Sequence, residues 1–156
     1  KAISLSDEMI FDGLASFSGV EGRLQYVKEV DGVKIYNDNN ATTPIATAVG
    51  LEAVGTEKNV VLIAGGHDKK IALEPLLAAV EVYAKQVILI PGTGTDALID
   101  KVDALVVENL QLAMEEARLA AEPGDVILFS PAFASFGQYA NEYDRNDEFM
   151  SLVEKI

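Results

Sequence analysis

Asn37-Asp38-Asn39-Asn40-Ala41-Thr42-Thr43-Pro44 lies between an alternating run, Val33-Lys34-Ile35-Tyr36, and an apolar segment that opens at Pro44. The alternation is that of a half-buried strand, and Thr43-Pro44 reads as an N-cap followed by the first helical residue. The eight residues therefore form a loop from the C-terminal end of a strand into a helix N-terminus. In open α/β sheets ligands gather at such junctions, because free backbone N–H groups and the helix dipole favour anions there. Asn, Asp and Thr also serve as turn formers and caps, so on their own they mark a junction and not yet a site.

Working outward, Asp31-Gly32 is a strong turn signal between Leu24–Lys28 and Val33–Tyr36, which predicts a hairpin. Upstream, Ser6-Asp7-Glu8 opens a short helical pattern with Ile10, Leu14 and Phe17 on one side, ending near Ser18-Gly19. Downstream, Pro44–Val54 reads as helix and Asn59–Ala64 as a continuous apolar strand. Leu73, Leu76, Leu77, Val80 and Ala84 have the spacing of a helix packed on a sheet. Gln86–Ile90 is a second buried strand, Pro91–Gly94 a turn, Thr95 to about Lys101 a short helix and Ala104–Val107 a short strand. The next helix has Leu110, Ala113, Met114, Ala117 and Ala121 on its apolar face and stops at Pro123-Gly124. Val126–Phe129 is the last buried strand, Ser130–Ser135 a loop, and the closing helix presents Phe149, Leu152, Val153 and Ile156. Continuous apolar strands alternating with helices need cover on both faces. The expected architecture is α/β: a doubly wound, mostly parallel, Rossmann-like sheet with an N-terminal hairpin.

If the crossovers are right-handed, loops after successive parallel strands share one edge of the sheet. That edge collects the loops 37–43, 65–70 and 130–135, offering Asp38, hydroxyls at Thr42, Ser130 and Ser135, cations at Lys69 and Lys70, and the imidazole of His67.

The 156 residues are one domain's worth, 49% hydrophobic and 24% charged, with no linker-like or low-complexity run. Twelve Lys and Arg stand against 25 Asp and Glu, a net charge of −13. Such a field repels nucleic acid and anionic membrane, so neither is expected as a partner. No apolar run approaches the ~20 residues that span a bilayer, and a chain without cysteine fits the cytoplasm. An anionic small ligand needs local cations and helix N-termini to overcome the −13 field.

Gly92-Thr93-Gly94-Thr95-Asp96-Ala97 fits G-x-G-x-x-A after a strand, and Glu108 follows the next strand. A two-glycine turn before a short helix accounts for the same residues. No G-x-x-x-x-G-K-[ST] phosphate loop and no G-x-S-x-G elbow occurs, so this chain alone is expected to turn over no ATP. A single histidine excludes a multi-histidine metal site.

Four segments, in order and at similar spacing, resemble the Mur ligases of peptidoglycan synthesis, in their D-glutamate-adding branch. Gly19-Val20-Glu21-Gly22-Arg23-Leu24 is similar to G-L-P-H-R-L, and Asn37–Thr42 to N-D-S-K-A-T. Gly65–Lys69 is similar to G-G-x-D-K, and Ser130–Ser135 to S-P-A-x-A-S. The D-N-P-R motif of the diaminopimelate-adding branch is missing. The resemblance implies a tail of an upstream ATP-binding central domain over 1–18 and a C-terminal, amino-acid-binding, Rossmann-like domain over 19–156.

The activity it implies is ATP-dependent addition of D-glutamate to UDP-N-acetylmuramoyl-L-alanine through an acyl phosphate. Magnesium stabilises the phosphates and is held mostly by the upstream domain. Carried over by position, Arg23 and Asp38 contact ATP, while Thr42, Lys69, Ser135 and Asn40 bind the amino acid. Asn40 stands where the family has lysine, Gly22 where it has histidine, and Glu142 where it has a phenylalanine lining the amino-acid site, with Tyr143 beside it as a substitute. The alternative is a non-catalytic doubly wound module whose loops hold another small anion.

Overall fold

The computed structural model describes residues 4–17 and 19–156. Six strands form one sheet in the order β1-β2-β6-β3-β4-β5. The strands are β1 (Gln25–Val30), β2 (Val33–Asn37), β3 (Val60–Gly65), β4 (Ala84–Ile90), β5 (Ala104–Val106) and β6 (Val126–Ala132). Among the described residues, the β1–β2 pairing is the one antiparallel pairing between strands of this sheet. The expected hairpin turn is there, with φ of 52° at Asp31 and 79° at Gly32, the left-handed pair that matches strand twist.

The helices are α1 (Asp7–Ala15), α2 (Pro44–Val54), α3 (Glu74–Tyr83), α4 (Thr93–Leu98), α5 (Leu110–Ala120) and α6 (Glu142–Glu154). Along β3 the side chains alternate between two layers. Val60, Leu62 and Ala64 pack with Leu51 of α2 and Leu76 of α3. Val61 and Ile63 pack with Ala113 and Met114 of α5 and Phe149 and Val153 of α6. Leu62, Leu89 and Leu128 lie on neighbouring strands at 1%, 0% and 0% exposure. Each contributes about 1.5–3 kcal/mol by leaving water. This is the doubly wound sheet that the sequence predicts.

Several boundaries differ from the sequence reading. Ala84 begins β4 and does not continue the face of α3. The short helix starts at Thr93 and takes in Gly94, because the Phe133 ring packs where a Gly94 side chain would be. Ser130-Pro131-Ala132 extends β6 instead of opening a loop. Its register against β3 shifts between the Ile63–Phe129 and Gly65–Ala132 pairs, leaving an extra residue on β6. Pro131 sits in that bulge, where its missing N–H breaks no ladder. Of α1, capped by Ser6, no residue is buried, and Met9, Phe11 and Leu14 are 60%, 70% and 67% exposed. Lys1–Ile3 of the expected upstream tail and Ser18 of the expected helix end lie outside the described residues.

Because β6 is inserted between β2 and β3, the loops leaving β2, β3 and β6 are neighbours at the C-terminal edge of the parallel strands.

Candidate functional site

The loop after β2 is fixed from beneath. The Asp38 N–H donates to Phe129 O at 2.7 Å, and the Ala132 N–H donates to Ala41 O at 2.9 Å. The Asp38 carboxylate accepts the Leu24 N–H at 2.9 Å on one oxygen and the Ser130 hydroxyl at 2.7 Å on the other. Thr47 of α2 lies 2.8 Å from that hydroxyl and completes a buried polar row. Burial pushes the Asp38 carboxyl above the ordinary aspartate range, against the opposing pull of Ser130, the Leu24 N–H and the Arg23 charge. Thr43 caps α2 by accepting the Ala46 N–H at 3.4 Å, and Pro44 opens the helix.

The loop after β3 is stitched to the loop after β6 by two backbone bonds, His67 N–H to Ala134 O at 2.8 Å and Ala134 N–H to His67 O at 3.1 Å. Gly66, with φ of 128°, lets this approach happen, since a Cβ there would collide with Ala134 O. The exposed His67 ring meets Phe136 edge-on at 6.5 Å. Beyond the stitch the Lys69 ammonium donates to Thr42 Oγ1 at 3.1 Å. Lys70 points elsewhere, paired with Asp68 at 3.3 Å and with 86% of its side chain exposed.

A cleft of about 390 Å³ opens between these loops. Arg23, Asn40, Thr42, Lys69 and Ser135 line it, with Ala134, Phe136 and Tyr143 completing the wall. Five of the six candidate residues thus share one cavity. Asp38 is not in its wall; it is 8% exposed with both oxygens engaged. The Glu142 side chain lies outside what the structure describes, while Tyr143 reaches the cleft. Ser130 belongs to the buried row under the loop and lines no part of the cavity.

Arg145 is the residue that sequence reasoning missed. It is fully buried, with Nε donating to Asn39 Oδ1 at 2.8 Å, Nη2 to Asn39 O at 3.0 Å and Nη1 to Phe133 O at 3.2 Å. Its guanidinium lies 6.0 Å from the Phe129 ring. One side chain on α6 therefore ties the β2 loop to the β6 loop. The signal was legible: Arg145 precedes Phe149, Leu152 and Val153 by four, seven and eight residues, on the apolar stripe of α6. Tyr139 adds a second tie, donating to Glu148 at 2.7 Å; burial and that bond push its phenol up.

The glycines of the G-x-G-x-x-A segment are both committed to packing, Gly92 against Gly66 O and Gly94 against the Phe133 ring; Gly92 has the positive φ of a turn, whereas Gly94 lies in α4 and not in the expected turn. A larger open depression of about 960 Å³ lies against α3, β4 and β5 and contains none of the candidate residues. Its Lys85 is neutralised by Glu122 and Asp125, each at 2.7 Å. Among the described residues no three His, Asp or Glu side chains converge to hold a metal, and no helix is long and apolar enough to cross a membrane.

The family model described as Mur ligase, glutamate ligase domain, matches residues 22–133. The chain is 38% identical over 161 residues to a UDP-N-acetylmuramoylalanine-D-glutamate ligase of Pseudomonas fluorescens, covering 99% of this chain and 36% of that protein. It is 40% identical over 166 residues to the Geobacillus kaustophilus enzyme of the same name, covering 100% and 35%. A bifunctional folylpolyglutamate synthase/dihydrofolate synthase from Yersinia pestis, solved with AMPPNP and a manganese ion, shares the fold with a TM-score of 0.66 at 20% identity, over 97% of this chain and 35% of that one. The chain spans about a third of the length of the curated relatives it matches. With the family model matching most of the chain and the relatives covering all of it, this chain belongs to the Mur ligase family as a glutamate ligase domain.

Proposed function

We propose that this domain binds the amino acid and part of the nucleotide in an ATP-dependent ligase that adds D-glutamate to UDP-N-acetylmuramoyl-L-alanine in the cytoplasm. The observation that carries the reading is the Lys69–Thr42 contact of 3.1 Å, in a cleft that also gathers Arg23 and Ser135. A dianionic amino acid approaching a chain of net charge −13 needs such a fixed cation and hydroxyl donors. Lys69, Thr42 and Ser135 hold the amino-acid carboxylates. Arg23 meets the nucleotide phosphates, and Asp38 serves that side by holding the Leu24 N–H next to Arg23.

ATP transfers its γ-phosphoryl group to the carboxylate of the muramoyl-peptide precursor, and the amine of D-glutamate then displaces phosphate to form the amide. The part of this domain is to orient the amine by its carboxylates, which converts an encounter into a positioned attack. In this reading the magnesium that stabilises the phosphates is held mostly by the rest of the longer protein. Residues 1–18 are then the tail of that upstream part, and the exposure of Met9, Phe11 and Leu14 on α1 supports a covering partner there.

The test is a kinetic comparison in the full-length protein. Lys69→Ala raises the KM for D-glutamate and leaves that for ATP nearly unchanged; an unaltered amino-acid KM would overturn the reading. A G-x-x-x-x-G-K-[ST] motif upstream in the gene supports it, and a gene without one contradicts it.

A further inference from the structure

Asn40 lines the cleft, but its polar atoms are turned to the protein. Nδ2 donates to Glu21 O at 3.2 Å, the backbone N–H donates to Gly22 O at 2.8 Å, and Oδ1 accepts from Asn39 Nδ2 at 3.4 Å. The amide lies against Gly22. A Cβ at that position would meet Asn40 Nδ2 at 3.1 Å and Asn146 Oδ1 at 3.3 Å, at a φ of +70° that side chains rarely adopt. Asn40 and Gly22 are therefore a matched pair, the amide filling the room that a side chain at 22 would take.

The same turn is gripped from two other sides. Asn146 donates to Glu21 Oε1 at 2.6 Å and accepts from Asn37 Nδ2 at 2.8 Å, and the Gly22 N–H donates to Gln25 Oε1 at 3.2 Å. The residue that leaves this turn is Arg23, whose own N–H closes it onto Val20 O at 3.1 Å. Leu24 follows at φ 43° with its N–H on Asp38. The backbone on both sides of Arg23 is thus held, and the only one of these grips that lies in the cleft wall is Asn40.

We infer that Asn40 is a positioning residue for Arg23, clasping the Glu21-Gly22 turn, and not a ligand of the amino acid. The inference rests on the proposed division of the cleft, with Arg23 on the nucleotide side and Lys69 on the amino-acid side. Replacing Asn40 then loosens Arg23 and leaves Lys69, Thr42 and Ser135 in place, since those are held by the His67–Ala134 stitch and the Lys69–Thr42 bond.

Steady-state kinetics of the full-length protein decide it. Asn40→Ala raises the KM for ATP roughly three- to tenfold, the fold-change of one lost hydrogen bond, with the KM for D-glutamate unchanged. In an Arg23→Ala background Asn40→Ala adds no further change, which a general structural defect would not reproduce. A raised D-glutamate KM, equal changes in both constants, or no change in either overturns the inference. Amide hydrogen exchange supplies a readout independent of activity: in Asn40→Ala the amides of residues 22–24 exchange faster and those of 65–70 do not, and unchanged protection at 22–24 also overturns it. Lys69→Ala run in parallel separates the two ideas, because its failure to alter the D-glutamate KM condemns the ligase reading, while the exchange result still decides the clasp.

Discussion

The Ser130 hydroxyl donates to Asp38 Oδ2 at 2.7 Å across 92 residues of sequence, coupling the centre of β6 to the loop after β2. Burial raises the Asp38 pKa, so the folded protein takes up this proton more readily than the unfolded chain. The stabilising contribution of Asp38 is therefore complete below the ordinary aspartate value of 3.8 and is lost as pH rises through the raised folded value. Asp38→Asn removes that titration. Urea denaturation of both proteins at pH 7 and near pH 4 should show the wild type gaining on the Asn variant as pH falls. A constant difference between them would contradict the assignment.

Lys69 and Lys70 are adjacent in sequence and unequal in setting. Lys69 bonds to Thr42 in the cleft, whereas Lys70 pairs with Asp68 at the surface. Loss of one charge-assisted hydrogen bond costs about 1.5–3 kcal/mol, roughly tenfold to a hundredfold in KM. Lys69→Ala should raise the D-glutamate KM by that factor and Lys70→Ala by little, because exposed ion pairs contribute about 0–1 kcal/mol. Equal effects of the two substitutions would remove the case for Lys69.

Arg145 satisfies Asn39 O, Asn39 Oδ1 and Phe133 O in the interior. Truncation to alanine strips partners from buried acceptors, so Arg145→Ala should lower stability by about 3–5 kcal/mol in chemical denaturation. Arg145→Lys keeps the charge but not the fork geometry, and should fall between the two. A loss under about 1 kcal/mol for the alanine variant would show that the loops do not depend on this tie.

The 156-residue chain by itself should hydrolyse no ATP, since it carries no phosphate loop to orient the nucleotide. Phosphate release above that of a heat-inactivated control would refute this.

Local patterns carried most of the sheet. Asp31-Gly32 and the apolar runs 60–64, 86–90 and 126–129 each state their conformation within a few residues, so strand identity was readable. What was not readable depended on distant partners. Gly94 enters a helix because Phe133 packs on it, and Pro131 stays in a strand because the β3 register slips beside it. At the cleft, the motif loops could be named from sequence, but the Asn40–Gly22 contact and the burial of Asp38 follow from how β6 and α6 press on those loops. Arg145 shows the same limit: its place on an apolar stripe was visible, its acceptors on Asn39 and Phe133 were not.

The position of β6 also bears on how the chain is made. As synthesis proceeds from residue 25, the β1–β2 hairpin and the β3–β4 pair can each form from what has already emerged, but they have no shared partner until residues 126–132 appear. Until then two half-sheets carry unpaired inner edges, the kind of surface that pairs with wrong neighbours. The loop bearing Ser135 comes later still, so the binding cleft exists at no earlier stage of translation. A ribosome-stalled fragment ending before β6 should therefore be protease-sensitive and depend on chaperones, and one that includes α6 should acquire protection in a single step.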